Sequence, residues 1–159
     1  YKMNAEKNLD FIYDVISKKL DRLYDSTDAL DNKIAVWLGF QAAILSALVG
    51  WFRDEIELYA WPLAANSFAI GVILLVISLS LTIYSIITRN FSDPPAINQL
   101  CSDKSVNSST VDLKNQTIAD MKEAYSENLF VHERKGGLFN YSATVGFIGL
   151  LYIVIYFMI

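Results

Sequence analysis

The run NYSATVGFIGLLYIVIYFMI, residues 140–159, contains no charged side chain. A helix needs roughly 20 apolar residues to cross the hydrocarbon core of a bilayer. Two further runs reach that length: IAVWLGFQAAILSALVGWF at 34–52, and the stretch 61–87, whose most apolar part is FAIGVILLVISLSLTIYSII. Three such runs in 159 residues leave too little polar chain to wrap them as buried helices of a soluble protein. We therefore predict an all-α membrane protein with spans at about 34–52, 61–87 and 138–159.

The overall composition agrees with a membrane protein. Hydrophobic residues make up 53% of the chain and charged residues only 19%, and the charges gather in two blocks with long uncharged runs between them. The net charge of −4 gives no basic field that would attract nucleic acid, so we expect no direct nucleic-acid partner. The single cysteine, Cys101, excludes an intramolecular disulfide. No apolar signal segment is visible near the start, and Tyr1 and Lys2, which precede Met3, look like the remnant of a tag.

Lysine and arginine in the flanks of the spans predict the orientation. Residues 1–33 carry six of them, the loop 53–60 carries only Arg53, and residues 88–137 carry six. Cytoplasmic flanks are enriched in these residues, so we place the N-terminus and the segment 88–137 in the cytoplasm. The short acidic loop and the C-terminus would then lie outside.

The polar segments divide into two predicted helices and a linker. Residues 3–33 form an N-terminal helix that leads into the hairpin 34–88. Residues 89–110 form a linker, in which Pro94 and Pro95 prevent the second helix from continuing. Residues 111–137 form an amphipathic helix after a cap at Ser109 or Thr110. Gly136 and Gly137 are expected to form a joint before span three. An apolar seam runs along both helices, which either pack on each other or form a coiled coil between protomers. Its candidate residues are Ile16, Leu20, Leu23, Leu30, Met121 and Tyr125.

Motifs for catalysis or metal binding are absent from the sequence. There is no phosphate-binding glycine loop, no G-x-S-x-G and no H-E-x-x-H, and one histidine with one cysteine cannot build a usual zinc site. His132 is expected to be a solvated or helix-packed side chain rather than a pH sensor. We therefore expect no enzyme, no catalytic, metal-binding or cofactor-binding residues, and no cofactor.

Small and hydroxylated residues are the informative feature of the spans. In lipid, small residues allow close helix contact and hydroxyls bond across helix interfaces. An amide buried without a partner costs several kcal/mol, so Gln41 should face protein or water. These side chains either line a pore or regulated contact, or simply hold the helices together. The candidate pore or interhelical contacts are Gln41, Ser46, Ser78, Thr82 and Ser85, and the candidate packing ladder is Ala35, Gly39, Ala43, Gly71 and Gly146.

The order of these features resembles the Pycsar transmembrane effectors and related helical-hairpin effectors of bacterial anti-phage defence. The similar stretches are DSTDALDNKIAVWLGFQAAILSALV at 25–49, with Asp31 and Lys33 before span one; Arg89 and the two prolines after span two; and Ala124-Tyr125 followed by Arg134-Lys135 before span three. The resemblance implies a protein that oligomerises in the inner membrane and breaks its barrier when an infection signal arrives.

Two functional hypotheses follow. The first is a non-enzymatic membrane effector, whose partners are the lipid bilayer, further copies of the same chain, and a cytoplasmic protein or signalling ligand that triggers it. The second is a membrane anchor or accessory subunit that recruits a cytoplasmic partner through its two polar helices. A constitutive channel is a weaker alternative because the sequence has no charged ring and no selectivity loop.

Overall fold

The structure, a computed structural model, describes the backbone of residues 2–54, 62–87 and 109–158, and the side chains of 8–51, 66–87 and 109–158. These residues form three α-helices: α1 (Lys2–Asp54), α2 (Pro62–Ile87) and α3 (Thr110–Met158). Each contains a segment long and apolar enough to cross a membrane, which confirms the prediction of an all-helical chain with three such helices. Most of the predicted loop after span one, and the predicted linker as far as residue 108, lie outside the described residues.

The ends of the helices follow the local sequence. Helix α2 begins at Pro62, where a missing backbone N–H costs nothing because the first turn has no acceptor for it. Ser109 caps α3: its Oγ accepts a hydrogen bond from the backbone N–H of Asp112 at 3.2 Å. The expected joint at Gly136 and Gly137 is not formed, since α3 continues through both residues and neither has a positive φ. Two glycines weaken a helix but do not end one whose flanks are strong helix formers.

The chain divides into two compact units. The first unit contains Tyr1–Ala29 and Arg89–Glu133, and the second contains Leu30–Thr88 and Arg134–Ile159. Helices α1 and α3 contribute residues to both units, whereas α2 belongs to the second unit alone.

In the first unit, α1 and α3 run parallel. Lys114 forms an ion pair with Asp10 near one end, and the Thr27 Oγ1 lies 2.9 Å from Nδ1 of His132 near the other. Both contacts join residues 104 or 105 positions apart, so the two helices stay in register along the unit. The predicted seam residues Leu20, Leu23 and Met121 are buried, while Ile16 and Tyr125 are half-buried.

In the second unit, the apolar core contains segments of all three helices. Phe68, Leu75 and Ile153 are its buried residues, and Leu45, Leu48 and Leu150 are among those that pack against it. At one end of this core the rings of Trp51, Phe68 and Tyr156 form a cluster, with centroids 5.1 to 6.5 Å apart. Phe68 of α2 contacts Trp51 of α1 and Tyr156 of α3. Ser78, which comes later on α2, contacts Gln41 and Ser142, which come earlier on α1 and α3. Helix α2 therefore runs antiparallel to α1 and α3 in this unit.

A close crossing of two backbones joins α2 to α3 in this unit. A Cβ atom added to Gly71 would lie 2.8 Å from the backbone oxygen of Gly149, and one added to Gly149 would lie 2.9 Å from the backbone oxygen of Gly71. Only residues without a side chain allow helices to approach this closely. The crossing brings the polar positions further along α2 and α3 within hydrogen-bonding reach of each other.

Candidate functional site: a buried polar cluster in the second unit

A cluster of polar side chains lies in the interior of the second unit, where an apolar core would be expected. Its members are Trp37 and Gln41 on α1, Ser78 and Thr82 on α2, and Ser142 on α3. Gln41, Ser78, Thr82 and Ser142 are all fully buried. Ser78 and Thr82 are four residues apart and therefore share one face of α2. We call these five residues the polar cluster.

The side-chain amide of Gln41 is fully engaged by α2. Its Nε2 donates to Ser78 Oγ, and its Oε1 accepts a hydrogen bond from Thr82 Oγ1 at 3.1 Å. An unpaired amide in an apolar environment costs several kcal/mol, on the order of 4 to 8 on a hydrocarbon scale. Two neighbouring hydroxyls on the same face of α2 remove this cost, and this explains why a glutamine is tolerated within a helix of membrane-spanning length.

The hydroxyls of Ser78 and Ser142 join α2 to α3. Ser78 Oγ donates to the backbone oxygen of Ser142 at 2.6 Å, and Ser142 Oγ donates to the backbone oxygen of Ser78 at 2.9 Å. Ser142 Oγ also accepts a hydrogen bond from Nε1 of Trp37 at 3.2 Å. Ser142 is thus bonded to both other helices of the unit, and every polar atom of the cluster has a partner.

Thr82 has a choice of acceptors. Its Oγ1 lies 2.6 Å from Ser142 Oγ, 3.0 Å from the backbone oxygen of Ser78 and 3.1 Å from Oε1 of Gln41. A hydroxyl carries one hydrogen and rotates to suit its surroundings. The cluster therefore has more than one consistent set of hydrogen bonds, and small movements of α2 can be accommodated by rotation of the Thr82 hydroxyl.

Gly146 makes room for the cluster on α3. A Cβ at this position would lie 2.7 Å from both Ser78 Oγ and a ring carbon of Trp37. Any larger residue would separate α3 from the other two helices at this level. Gly146 and Gly71, both members of the predicted packing ladder, are buried in contacts between helices.

A second buried polar layer lies two helical turns away. Ser85 and Lys135 are seven residues from Ser78 and Ser142 respectively, about 11 Å along each helix axis. Lys135 is 1% exposed and forms an ion pair with Asp31, which is 24% exposed. The hydroxyl of Ser85 is buried and has no hydrogen-bond partner among the described residues. On the adjoining surface Arg134 donates to the hydroxyl of Tyr84 at 3.2 Å.

The other predicted contact and packing residues lie outside the two buried polar layers. On α1, Ser46 is exposed, as are Ala35, Gly39 and Ala43, so none of these four residues is buried between the helices. A Cβ added at Gly39 would meet nothing within 4 Å. The reason is the helical period: the side of α1 that contains Gln41 also contains the buried Ile34, and the small residues lie on the opposite side. Leu30 is half-buried in the second unit, beside Gly136.

Three members of the buried polar layers, Trp37, Ser142 and Lys135, are not among the predicted site residues. In the sequence, Trp37 lies near the start of span one and Lys135 is one of the basic residues that flank span three. On α3, the spacing of the small and polar residues in the sequence indicates which face is buried. Lys135, Ser142, Gly146 and Gly149 recur every three, four or seven residues, which puts them on one face of α3.

No model of a known protein family matches this chain, and neither a curated protein nor a solved structure is similar to it. Nor does the part of the chain that the structure describes contain a group of histidine, cysteine and carboxylate side chains that could hold a metal ion. Fold and site together define an all-helical protein with three helices long and apolar enough to cross a membrane and a hydrogen-bonded polar cluster between them.

Proposed function

We propose that this chain is a non-enzymatic effector of the bacterial inner membrane, which oligomerises and perturbs or permeabilises that membrane when a defence signal arrives. The polar cluster is the observation that supports this most directly. Five side chains between membrane-spanning helices bond to one another and to backbone oxygens, and none of them is charged. The sequence resemblance to anti-phage effectors supplies the defence setting.

The mechanism we propose is a change of partner by these polar groups. Hydrogen bonds between membrane helices are each worth only about 0.6 kcal/mol on average, so a cluster of a few bonds can be opened by a modest bias. If the helices move apart, the same hydroxyls and the Gln41 amide can bond to water. The two arrangements would have to differ by only a few kcal/mol for a signal to switch them.

The proposed topology places the first unit, with residues 8–29 and 109–133, in the cytoplasm, where the signal would be received. In this unit α1 and α3 are joined by the Asp10–Lys114 ion pair and the Thr27–His132 contact. A ligand or protein that shifts these helices acts on helices that continue into the second unit. In this proposal, the two polar helical segments 3–33 and 111–137 receive the signal.

Membrane potential in cells that produce the chain tests the proposal. Cells are challenged with a panel of phages and followed with a potential-sensitive dye. We expect depolarisation before lysis in cells with the unaltered chain, and its loss in the Gln41→Leu variant, which cannot bond to Ser78 or Thr82. The Ser46→Ala variant is the matched control, because Ser46 is exposed and outside the cluster. The proposal would be refuted if the membrane potential stayed constant while growth stopped, for every phage against which the chain protects.

The anchor hypothesis makes the opposite prediction. A chain that only recruits a partner would pull down a cytoplasmic protein in constant ratio and leave the potential unchanged under every challenge. The Gln41→Leu variant separates the two roles of the cluster. Lost depolarisation with retained assembly indicates a polar lining, whereas lost assembly indicates that Gln41 holds the helices together.

A further inference from the structure

An open groove lies on the surface of the second unit, between α1 and α3. Its volume is about 480 Å³, which is within the range of about 300 to 1,000 Å³ found for sites that bind small molecules. The wall of the groove is almost entirely apolar. The residues that line it are Asn32, Lys33, Val36, Trp37 and Phe40 of α1 and Phe139 of α3. We call it the α1–α3 groove.

One face of α1 forms most of this groove. The lining residues of α1 recur every three or four positions, which places them on the same side of the helix. From Asn32 to Phe40 this face is about 12 Å long, at a rise of about 1.5 Å per residue. Val36 is 74% exposed and Phe40 is exposed as well, so the described part of the chain leaves the face open. In a membrane, an apolar face of this kind contacts the acyl chains of lipids.

Trp37 forms a fixed wall of the groove. Its Nε1 donates to Ser142 Oγ at 3.2 Å. Its ring lies against Phe40 and Phe147, with centroids 5.5 Å and 5.2 Å away. The hydrogen bond and the ring contacts together hold the indole in one orientation. A molecule in the groove therefore touches a side chain that belongs to the polar cluster.

Lys33 provides a positive charge at the polar end of the groove. It is exposed, and it forms no ion pair or hydrogen bond with any residue that the structure describes. No residue three or four positions from Lys33 on α1 is charged, so the helix itself offers no partner. A lysine of this kind packs its aliphatic stem on apolar surface and keeps its ammonium group in water. An anionic group at this end can pair with the ammonium while an apolar chain fills the groove.

We infer that the α1–α3 groove binds one anionic phospholipid, with its acyl chain along the apolar wall and its phosphate on the Lys33 ammonium. Basic side chains beside grooves between membrane helices recognise anionic head groups. The exposed amide of Asn32 is a further hydrogen-bond donor at this end of the groove. A zwitterionic lipid can place its acyl chain equally well, but it brings its own cation close to Lys33. The inference rests on the proposed function only in that α1 and α3 cross a membrane, and it adds a lipid ligand in contact with the polar cluster.

Quenching of Trp37 fluorescence by brominated lipids tests this site. The full-length chain carries Trp51→Phe and Trp61→Phe, so that Trp37 is its single tryptophan. It is reconstituted in vesicles of phosphatidylglycerol and phosphatidylcholine in equal amounts, with bromine on the acyl chains of one lipid or of the other. Bromine quenches tryptophan only at close contact, so the ratio of the two signals gives the lipid preference at Trp37. We expect the anionic lipid to be preferred by about fivefold.

Substitutions in this background separate the charge of the site from its shape. Lys33→Gln should abolish the preference for the anionic lipid, and Lys33→Arg should keep it. Arg134→Gln is the matched control, because it removes the same charge from an exposed position of α3 outside the groove, and it should keep the preference. Val36→Phe fills part of the groove and should reduce quenching by both lipids. Circular dichroism checks that each variant keeps its helices.

Three results would overturn the site. Equal quenching by the two lipids in the chain with Lys33 would show ordinary contact with bulk lipid. A preference that survives Lys33→Gln, or that is lost equally in Arg134→Gln, would show that Lys33 does not select the head group. No quenching by either lipid would show that a second copy of the chain covers the groove. The vesicles carry no membrane potential and receive no defence signal, so the site can fail while the proposed depolarisation holds, and the reverse.

Discussion

Ser78 and Ser142 exchange hydrogen bonds: each hydroxyl donates to the backbone oxygen of the other residue, at 2.6 Å and 2.9 Å. The pair joins α2 to α3 at the level where Gln41 and Trp37 of α1 also bond. Three helices are therefore held by uncharged groups that make short hydrogen bonds in a buried site. Such bonds are specific in geometry but modest in free energy, which is the combination that a reversible helix contact requires.

Removing the Ser78 hydroxyl should weaken the second unit selectively. Ser78→Ala loses the donor to Ser142 and leaves the Gln41 amide without its acceptor, and we expect a loss of about 1 kcal/mol in the free energy of unfolding. Ser80→Ala is the matched control on the same helix, because the Ser80 hydroxyl is exposed and bonds to the backbone oxygen of Val76 in its own helix. Unfolding in mixed micelles by titration with a denaturing detergent measures both. Equal losses in the two variants would contradict the role of the cluster.

Adding one methyl group at the helix crossing should be costly. Gly71→Ala puts a Cβ 2.8 Å from the backbone oxygen of Gly149, so α2 and α3 must move apart. We expect a destabilisation of about 1 to 3 kcal/mol in the same unfolding assay. Gly39→Ala, where a Cβ meets nothing within 4 Å, should be neutral or slightly stabilising because alanine favours helix. A tolerated Gly71→Ala would show that the two backbones do not approach so closely.

The ion pair of Lys135 with Asp31 should respond asymmetrically to substitution. Asp31→Leu leaves a lysine that is 1% exposed without its carboxylate, and removal of one partner from a buried pair costs about 3 to 5 kcal/mol. Lys135→Met should cost less, because Asp31 is 24% exposed and can be hydrated. The double variant should recover most of the loss. Lys33→Met, at an exposed position, controls for the change in charge, and equal losses for the two single variants would contradict the difference in burial.

The three long apolar helices could be predicted because their signal is local and long. About 20 consecutive apolar residues leave few alternatives to a membrane helix, and the missing N–H of Pro62 marks a helix start by itself. The continuity of α3 was not predicted. This helix runs from Thr110 to Met158 through Gly136 and Gly137, where a joint was expected, since a helix can cross from polar to apolar sequence without any break.

The membership of the polar cluster could be predicted only in part. A polar group in a span must find a partner, which points to Gln41, Ser78, Thr82 and Ser85, and all four are buried. The same criterion points to Ser46, which is exposed, because residue type does not tell which side of α1 faces its neighbours. The burial of Lys135 depends on Asp31, more than a hundred residues earlier in the chain, and no local pattern contains that information.

The side of the membrane on which the Cys101 thiol can be labelled tests the central claim. This claim is that the chain crosses the membrane three times with residues 88–137 in the cytoplasm. Spheroplasts with an intact inner membrane are treated with a membrane-impermeant maleimide, before and after permeabilisation. We predict that Cys101 is labelled only after permeabilisation, whereas a Cys101→Ser variant that carries Glu57→Cys is labelled in intact spheroplasts. Labelling of Cys101 in intact spheroplasts, with Glu57→Cys protected, would contradict this topology.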